Sequence, residues 1–453
     1  MQLILITAIH LIIFFVGVFL SVAIGLKNKK EIIGLSYLFG SGITTLTFFL
    51  FHWIFNLKLD QLNFLLSVCI LIVILLIIII FQKRLEIIKN LLKLEKTIDK
   101  YVSFKINIEN SIKFIIFLLI FHSFLENYFW VVTDWDALAF YDFRARVMAI
   151  NGDMLEGIQL TYFFQYPPYT SLLHVFGYIF GAMRVKVAYS LITLSFLLSF
   201  YNLIRRKQEK IPSLIFTLVL ASTPMIFEHS VTAYSNLPYV SFFSIGVIYL
   251  WNYLDNKLRK DLIAGGLLIS MSTWIRSTEP FWIVPALLII FAIIKYRSNI
   301  KTSIILIFII NFPGKLWRKF LLYLDKTSEV KIIDTESHSS LAINEFIKQG
   351  HSIIEILIRI FEVLKYLIIT LAPEFYLIFF LLILSVLHKA KNKSIELISL
   401  VLLFSIVFGG TLVFSFTFET WNLIGGSIVR MCMIFVPLLL YLIPKDLKYE
   451  KKH

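Results

Sequence analysis

Apolar residues run through this chain in long blocks, and short polar stretches between them hold most of the charge. Phe64 to Phe81 is one such block, and Leu397 to Phe418 is another that contains no charged residue. Runs of this kind approach or reach the roughly 20 residues that cross a hydrocarbon core of about 30 Å. Taken in order, the blocks predict about thirteen spanning helices, near 1–26, 31–57, 64–81, 114–132, 185–204, 211–229, 238–255, 262–278, 281–296, 302–318, 365–388, 397–418 and 431–446. The first block has neither a basic start nor a small-residue cleavage site, and it runs into Lys27-Asn28-Lys29-Lys30. It is therefore expected to be a retained helix and not a signal peptide.

Composition points the same way. Of 453 residues, 58% are apolar and 16% charged, and mean hydropathy is +0.83; a soluble protein of this length has too little interior to hide that surface. The expected fold class is an all-α polytopic membrane protein. Cys69 and Cys432 both fall in apolar segments, where cysteine is usually a small buried hydrophobe, so neither a disulfide framework nor a thiolate metal site is implied.

Charge sets the expected orientation, because lysine and arginine beside a span resist translocation. With the N-terminus outside, the inside connections become 27–30, 82–113, 205–210, 256–261, 295–301, 389–396 and 445–453, which hold most of the 43 Lys and Arg. Many acids do the reverse: Glu126, Asp134, Asp136, Asp142, Asp153, Glu156, Glu228, Glu279 and Glu419 fall at outside ends or loops. The net charge of +14 is thus mostly a topology signal, and no nucleic-acid partner is expected.

Two outside segments, 133–184 and 314–364, are too long to be simple turns, and connections of that length usually carry function or short helices of their own. In the first, Ala137 to Ala149 is helical in composition and Asn151-Gly152-Asp153 stops it. Tyr166-Pro167-Pro168-Tyr169 then breaks the chain, and Thr170 to Phe180 is apolar but too short to cross, so it is expected to lie along the surface as an interfacial helix. Ile353 to Leu364 in the second loop, interrupted by Glu355, Arg359 and Glu362, reads the same way.

The stretch from Thr133 to Arg146 concentrates Asp134, Asp136, Asp142, Arg144 and Arg146 directly after an apolar span. Carboxylates at a membrane surface are costly to dehydrate and are candidates for acid–base or cation-binding chemistry. Each has a plainer reading. Asp134 and Asp136 could cap the helix that follows, and Asp142 is spaced to form a surface pair with Arg146. Arginines at membrane boundaries often only snorkel to headgroups, and Arg276 has Glu279 one turn away as an ion-pair partner. His174 reads as a packed or headgroup-facing residue, and Trp135, Trp274, Trp282 and Trp421 suit an aromatic belt.

Asp134 and Asp136, Arg146, Met148, Gly152-Asp153 and Pro167-Pro168 follow one another in this order. That succession resembles the GT-C glycosyltransferases, nearest to bacterial relatives of the protein mannosyltransferases and of the lipid A aminoarabinose transferases. Those enzymes carry an acidic pair at the head of the first large outside loop, then an Arg and a Met along its helix, a Gly-Asp turn and a Pro-Pro. Ala233-Tyr234-Ser235-Asn236-Leu237-Pro238 is similar to the family's Tyr-Ala-Asp-Leu-Pro element, with Asn236 where an acid is common, and Gly425 to Arg430 opens the last span. Asp-Trp-Asp replaces two adjacent acids. By this resemblance residues 114–446 form a GT-C-like catalytic domain with extracytoplasmic loops 133–184 and 314–364. Residues 1–113 are a three-helix addition with a basic cytoplasmic loop, and 447–453 are a cytoplasmic tail.

The resemblance implies a protein embedded in membrane lipids, in the bacterial plasma (inner) membrane, with its active site facing the extracytoplasmic side. It would move a sugar from a polyprenyl-phosphate-linked donor to a lipid, glycan or protein acceptor. A glycosyl phosphate already has a good leaving group, so such a transfer needs mainly a base for the incoming hydroxyl and cations for the departing phosphate. Asp136 is the favoured base and Asp134 its helper; if a divalent cation, Mg or Mn, is used, these two carboxylates are its candidate ligands. Arg430 and Arg276, followed by Arg184 and Lys186, are the candidates for the donor phosphate, since guanidinium geometry matches phosphate oxygens. Trp135, Tyr166, Asn236 and Glu279 are the candidate contacts to sugar or acceptor. A polysaccharide polymerase or ligase would share the donor side but would rely more on paired arginines in a late loop. A lipid-linked glycan transporter would be expected to show repeated halves and polar groups at mid-depth. Few Gly and Ala beside many Ile, Lys, Asn and Phe suggest an AT-rich bacterial genome.

Overall fold

The computed structural model describes residues 2–92, 107–160, 166–277, 280–297, 299–327, 344–348, 350–387, 394–418, 421–423 and 425–446. Every regular element among them is helical, as apolar blocks of this length require: in hydrocarbon each backbone N–H and C=O must find its partner within its own segment. The main helices are α1 (Gln2–Ile24), α2 (Lys29–Phe55), α3 (Gln61–Phe81), α4 (Leu85–Leu92) and α5 (Ile108–Phe129). A π-helical turn (Ala137–Asp142) leads into α6 (Phe143–Asn151), α7 (Leu155–Gln159) and α8 (Tyr169–Ile179). There follow α9 (Val187–Arg205), α10 (Lys210–Ser222), α11 (Pro224–Val231), α12 (Asn236–Asn256), α13 (Arg259–Ile275) and α14 (Ile283–Tyr296). The last are α15 (Ile300–Ile309), α16 (Phe312–Thr327), α17 (Ile353–Leu387), α18 (Ser394–Thr417), α19 (Gly425–Cys432) and α20 (Phe435–Asp446).

Among the described residues nine helices are long and apolar enough to cross a membrane, with α15 and α16 counted as one stretch, and α10 with α11, bent by 64°, make a tenth if taken together. The bend falls at Thr223-Pro224, where proline occupies the first position of α11 and cannot donate to the preceding turn. The multi-spanning all-helical class is thus confirmed, and the count of about thirteen is not: α13 has only 17 residues, and Pro280–Tyr296 is a shorter apolar helix.

Glycines decide how closely the N-terminal helices approach. A Cβ on Gly17 of α1 would lie 1.7 Å from the Ser36 carbonyl oxygen, and one on Gly40 of α2 would lie 1.9 Å from that of Ile13, so the two backbones touch directly, the small-residue packing typical of membrane helices. Gly246 and Gly265 bring α12 and α13 together in the same way. α2 in turn packs on α9 and α13, and Phe49 meets Trp274 at a tilt and Trp317 and Phe320 edge to face, at ring distances of 5.0 to 5.9 Å. The first three helices therefore share one core with the rest of the bundle.

Polar contacts divide between the two ends of the bundle. At one end Arg206 bridges Glu31 at 2.8 Å and Asp261 at 3.0 Å, Lys207 meets Asp255, and Arg84 donates to the carbonyl oxygens of Val22 and Ala23. At the other end Gln2 reaches Gly181 and Met183, Gln61 reaches Ile179, and Leu59 donates to the Gly152 carbonyl at 2.8 Å. This second end carries the 133–184 loop.

Three local expectations change. α8 is not a surface helix: every residue from Tyr169 to Gly177 is buried, because Phe48 of α2 and Phe64 of α3 cover Phe176 at 5.7 and 4.6 Å. The stretch after Ile353 does not end at Leu364 but continues in α17 to a break at Phe375, two residues after Pro373. Cys69 faces outward from α3, whereas Cys432 is buried as expected.

Gly17→Ala or Gly40→Ala should push α1 off α2 at a cost of about 1–3 kcal/mol, the usual price of overpacking. The thermal melting temperature in detergent should fall for either variant, and by less for Gly181→Ala, where a side chain meets nothing within 4 Å and only the positive φ of 77° strains it.

Candidate active site

The 133–184 loop is held by a buried carboxylate. Asp142 closes the π-helical turn and is fully buried; its Oδ1 accepts hydrogen bonds from His174 Nδ1 at 3.0 Å and from the Tyr178 hydroxyl, and its Oδ2 accepts from Arg146 Nε at 2.8 Å. His174 Nε2 in turn meets the Tyr189 hydroxyl at 3.1 Å. The expected Asp142–Arg146 pair thus exists, but its acid is in the interior and His174 is its second partner. Burial alone would raise the Asp142 carboxyl, and the hydrogen bonds from His174, Tyr178 and Arg146 outweigh it and hold the group well below the usual carboxylate range. The helix then stops at Gly152, as the turn motif predicted, with φ of 70° at the cap.

Arg144 is a second anchor. It is 1% exposed, and it donates to Ser171 Oγ at 2.7 Å and to the carbonyl oxygens of Tyr166 at 3.0 Å and Pro167 at 3.3 Å. Burial pulls its guanidinium down to about 10, so it remains charged at neutral pH.

With the turn fixed at Asp142, Asp136 sits one turn earlier and makes no helix-cap hydrogen bond. Its Oδ2 instead accepts from Arg430 Nη1 at 2.9 Å, a contact between residues 294 apart in the sequence. The Arg430 guanidinium lies 5.4 Å from the centre of the Tyr234 ring, and the edge of that ring faces His229 at 5.9 Å. His229 is buried, with Nδ1 on the Met225 carbonyl and no partner for Nε2. Arg276, at the end of α13, donates through Nη2 to the Tyr166 hydroxyl at 2.9 Å and lies 4.8 Å above the Tyr166 ring. Tyr141, hydrogen-bonded to Ser235 at 2.7 Å, lies among these groups: burial raises its phenol, and the charges of Arg276, Arg144 and Asp136 all act on it.

Other expected site residues are placed apart or differently engaged. Lys186 is 5% exposed; burial lowers its ammonium, and Asp134 and Glu126 act in the opposite direction, so its electrostatic neighbours are acids. Arg184 donates to the Phe129 carbonyl at 3.1 Å. The Asp134 carbonyl opens the helix by accepting from Leu138 N–H at 2.8 Å. Trp135 is 77% exposed and lines an open cavity of about 580 Å³ with Leu138, Phe143, Arg146 and Leu160. Tyr166 is committed to Arg276 and Arg144, and Asn236 is buried at the start of α12. Glu279 lies outside the described residues. Sequence reading missed Tyr234, Ser235, Tyr141, Arg144 and His229. Tyr234 and Ser235 adjoin Asn236 in a motif already singled out, whereas nothing in the sequence separates Arg144 from Arg146.

Of the two carboxylates named for a divalent ion, Asp136 is paired with Arg430 and Asp134 acts electrostatically on Lys186. Among the described residues no three His, Cys, Asp or Glu side chains are grouped to hold a metal ion.

Residues 167–313 match the family described as dolichyl-phosphate-mannose-protein mannosyltransferase. The matched segment is similar to those of the GT-C superfamily glycosyltransferases. The match spans about a third of the chain, from Pro167 in front of α8 to Pro313 in α16, and so includes Arg184, Lys186, Tyr234, Asn236 and Arg276 but not Asp134, Asp136 or Arg430. No curated protein and no solved structure matches the chain. The match supports, as a coarse function, a membrane glycosyltransferase that uses a polyprenyl-phosphate-linked sugar donor.

Asp142→Asn should lower the melting temperature at pH 7 by removing a buried, hydrogen-bonded charge, a loss of about 3 kcal/mol. Because the carboxyl is depressed in the folded protein, its contribution is complete above its unfolded value of about 4 and is lost as pH falls through the folded value. The difference in melting temperature between wild type and variant should therefore be constant from pH 7 to 5 and shrink below about pH 4.

Proposed function

We propose that this protein transfers a sugar from a polyprenyl-phosphate carrier to an acceptor hydroxyl at the outer membrane surface, with Asp136 as base and Arg430 and Arg276 as the phosphate-binding cations. The observation that carries this reading is the 2.9 Å contact between Arg430 and Asp136, which joins a candidate base to a candidate phosphate ligand. A phosphate oxygen binds a guanidinium as well as a carboxylate does, so an arriving donor competes for Arg430 and releases Asp136. The acceptor oxygen then attacks the anomeric carbon while Asp136 takes the hydroxyl proton. The bond from that carbon to the phosphate oxygen breaks, its electron pair stays on the phosphate, and the sugar is inverted. The donor is a phosphodiester monoanion and the leaving lipid phosphate a dianion, so one negative charge develops where Arg430 and Arg276 stand. Asp134, beside Lys186, is suited to hold the acceptor.

Asp136→Asn should abolish transfer from a polyprenyl-phosphate sugar. The melting temperature should barely change, since the pair is partly exposed, at 24% and 36%, and such pairs contribute at most about 1 kcal/mol. Near-normal turnover would remove Asp136 from the role of base. Arg430→Ala should raise KM for the donor roughly 10- to 100-fold, the range for a lost hydrogen bond to a charged group; a fall in kcat at normal donor KM would overturn its phosphate role. In a Cys69→Ala, Cys432→Ala background, Asp153→Cys should react with a membrane-impermeant thiol reagent in intact cells. Labelling only after permeabilisation would reverse the orientation.

A further inference from the structure

We infer that Tyr166, clamped by the buried Arg144, is the positioning residue that holds Arg276 in place for the donor phosphate, and is not a contact to sugar or acceptor. This rests on the reading of Arg276 as a phosphate ligand given above.

A guanidinium buried to 1% exposure is costly to dehydrate, and the hydrogen bonds of Arg144 go to three neutral oxygens, two of them the successive carbonyls of Tyr166 and Pro167. Pro167 and Pro168 fix φ along this stretch, so a short rigid segment presents the Tyr166 and Pro167 carbonyls to one fork. Ser171, in the first turn of α8, supplies the third point. Three contacts from one planar group determine where the Tyr166 backbone lies.

From that base the Tyr166 side chain defines Arg276 twice over. Its oxygen accepts from Nη2 at 2.9 Å, and its ring lies 4.8 Å beneath the guanidinium, a distance at which cation and ring attract. A hydrogen bond to the phenol oxygen and a contact over the ring together restrict where the guanidinium can lie. Arg276 is thus organised before the donor arrives, and the torsional freedom that a long side chain must otherwise lose on binding is already spent. The function of Arg144 is in this sense indirect: it touches the backbone that carries the tyrosine.

The test is a double-mutant cycle on the full-length protein in lipid nanodiscs, with a polyprenyl monophosphate as binding probe and donor kinetics where transfer is measurable. Tyr166→Phe, which keeps the ring and removes the oxygen, should weaken probe binding and raise donor KM about tenfold, the scale of a hydrogen bond to a charged group, with kcat little changed. Arg144→Lys should act in the same direction. In an Arg276→Ala background Tyr166→Phe should have no further effect, because a residue that works only through Arg276 has nothing left to position. A full additional loss in that background, or a fall in kcat at unchanged donor KM, would overturn the inference and return Tyr166 to acceptor binding. If Arg144→Lys fails to fold, the Tyr166 cycle decides alone. Should Arg276→Ala itself bind the probe like wild type, the phosphate reading of Arg276 fails; should Arg276→Ala weaken binding and Tyr166→Phe leave it intact, only the positioning role fails.

Discussion

A carboxylate with no exposed surface is stable only if every lone pair facing the interior is met, and Asp142 is such a carboxylate. His174, Tyr178 and Arg146 converge on it, and through them the π-helical turn, α6, α8 and the first turn of α9 become one unit. The wide turn matters because it sets the direction of the residues before it: with Asp142 turned inward, the Asp136 side chain emerges where Arg430 can reach it. The acid at the centre of the loop is thus a structural element, and the acid at its head, Asp136, is the one proposed as base.

This loop is rigid for a second reason, supplied by helices remote from it in sequence. α2 and α3 lie over α8 through Phe48, Phe64 and Phe176, and the Ser41 hydroxyl meets that of Tyr169 at 3.0 Å. α2 can take this place because Gly17 and Gly40 let α1 close against it. What reads as an addition at the front of the chain is therefore the lid over the helix that carries His174 and Ser171, two of the side chains on which Asp142 and Arg144 depend.

The cations of the site share one construction. Arg430 rests on Tyr234 and Arg276 on Tyr166, each guanidinium over an aromatic face, which attracts a flat, weakly hydrated cation. Behind them Arg144 is charged and hydrogen-bonded only to neutral oxygens. The segment that matches the mannosyltransferase family contributes Arg276 and Tyr234, while Asp136 and Arg430 come from either side of it, so the proposed chemistry is assembled across the boundaries of the recognisable segment.

Sequence by itself determined the all-helical membrane class and the stop at Gly152, because hydrophobic blocks and glycine turns are local signals with local causes. It also named Arg430 and Arg276 by their depth at the membrane boundary. It could not tell Asp142 from a surface acid or Arg144 from Arg146, since a helical spacing of four is the same whether the helix faces water or α8. Nor could it pair Asp136 with Arg430, place Tyr166 under Arg276, or bury α8 beneath α2 and α3. Those relations join residues far apart in the chain, and only the packing of helices, glycine against backbone and ring against ring, decides which distant side chains are left close enough to bond.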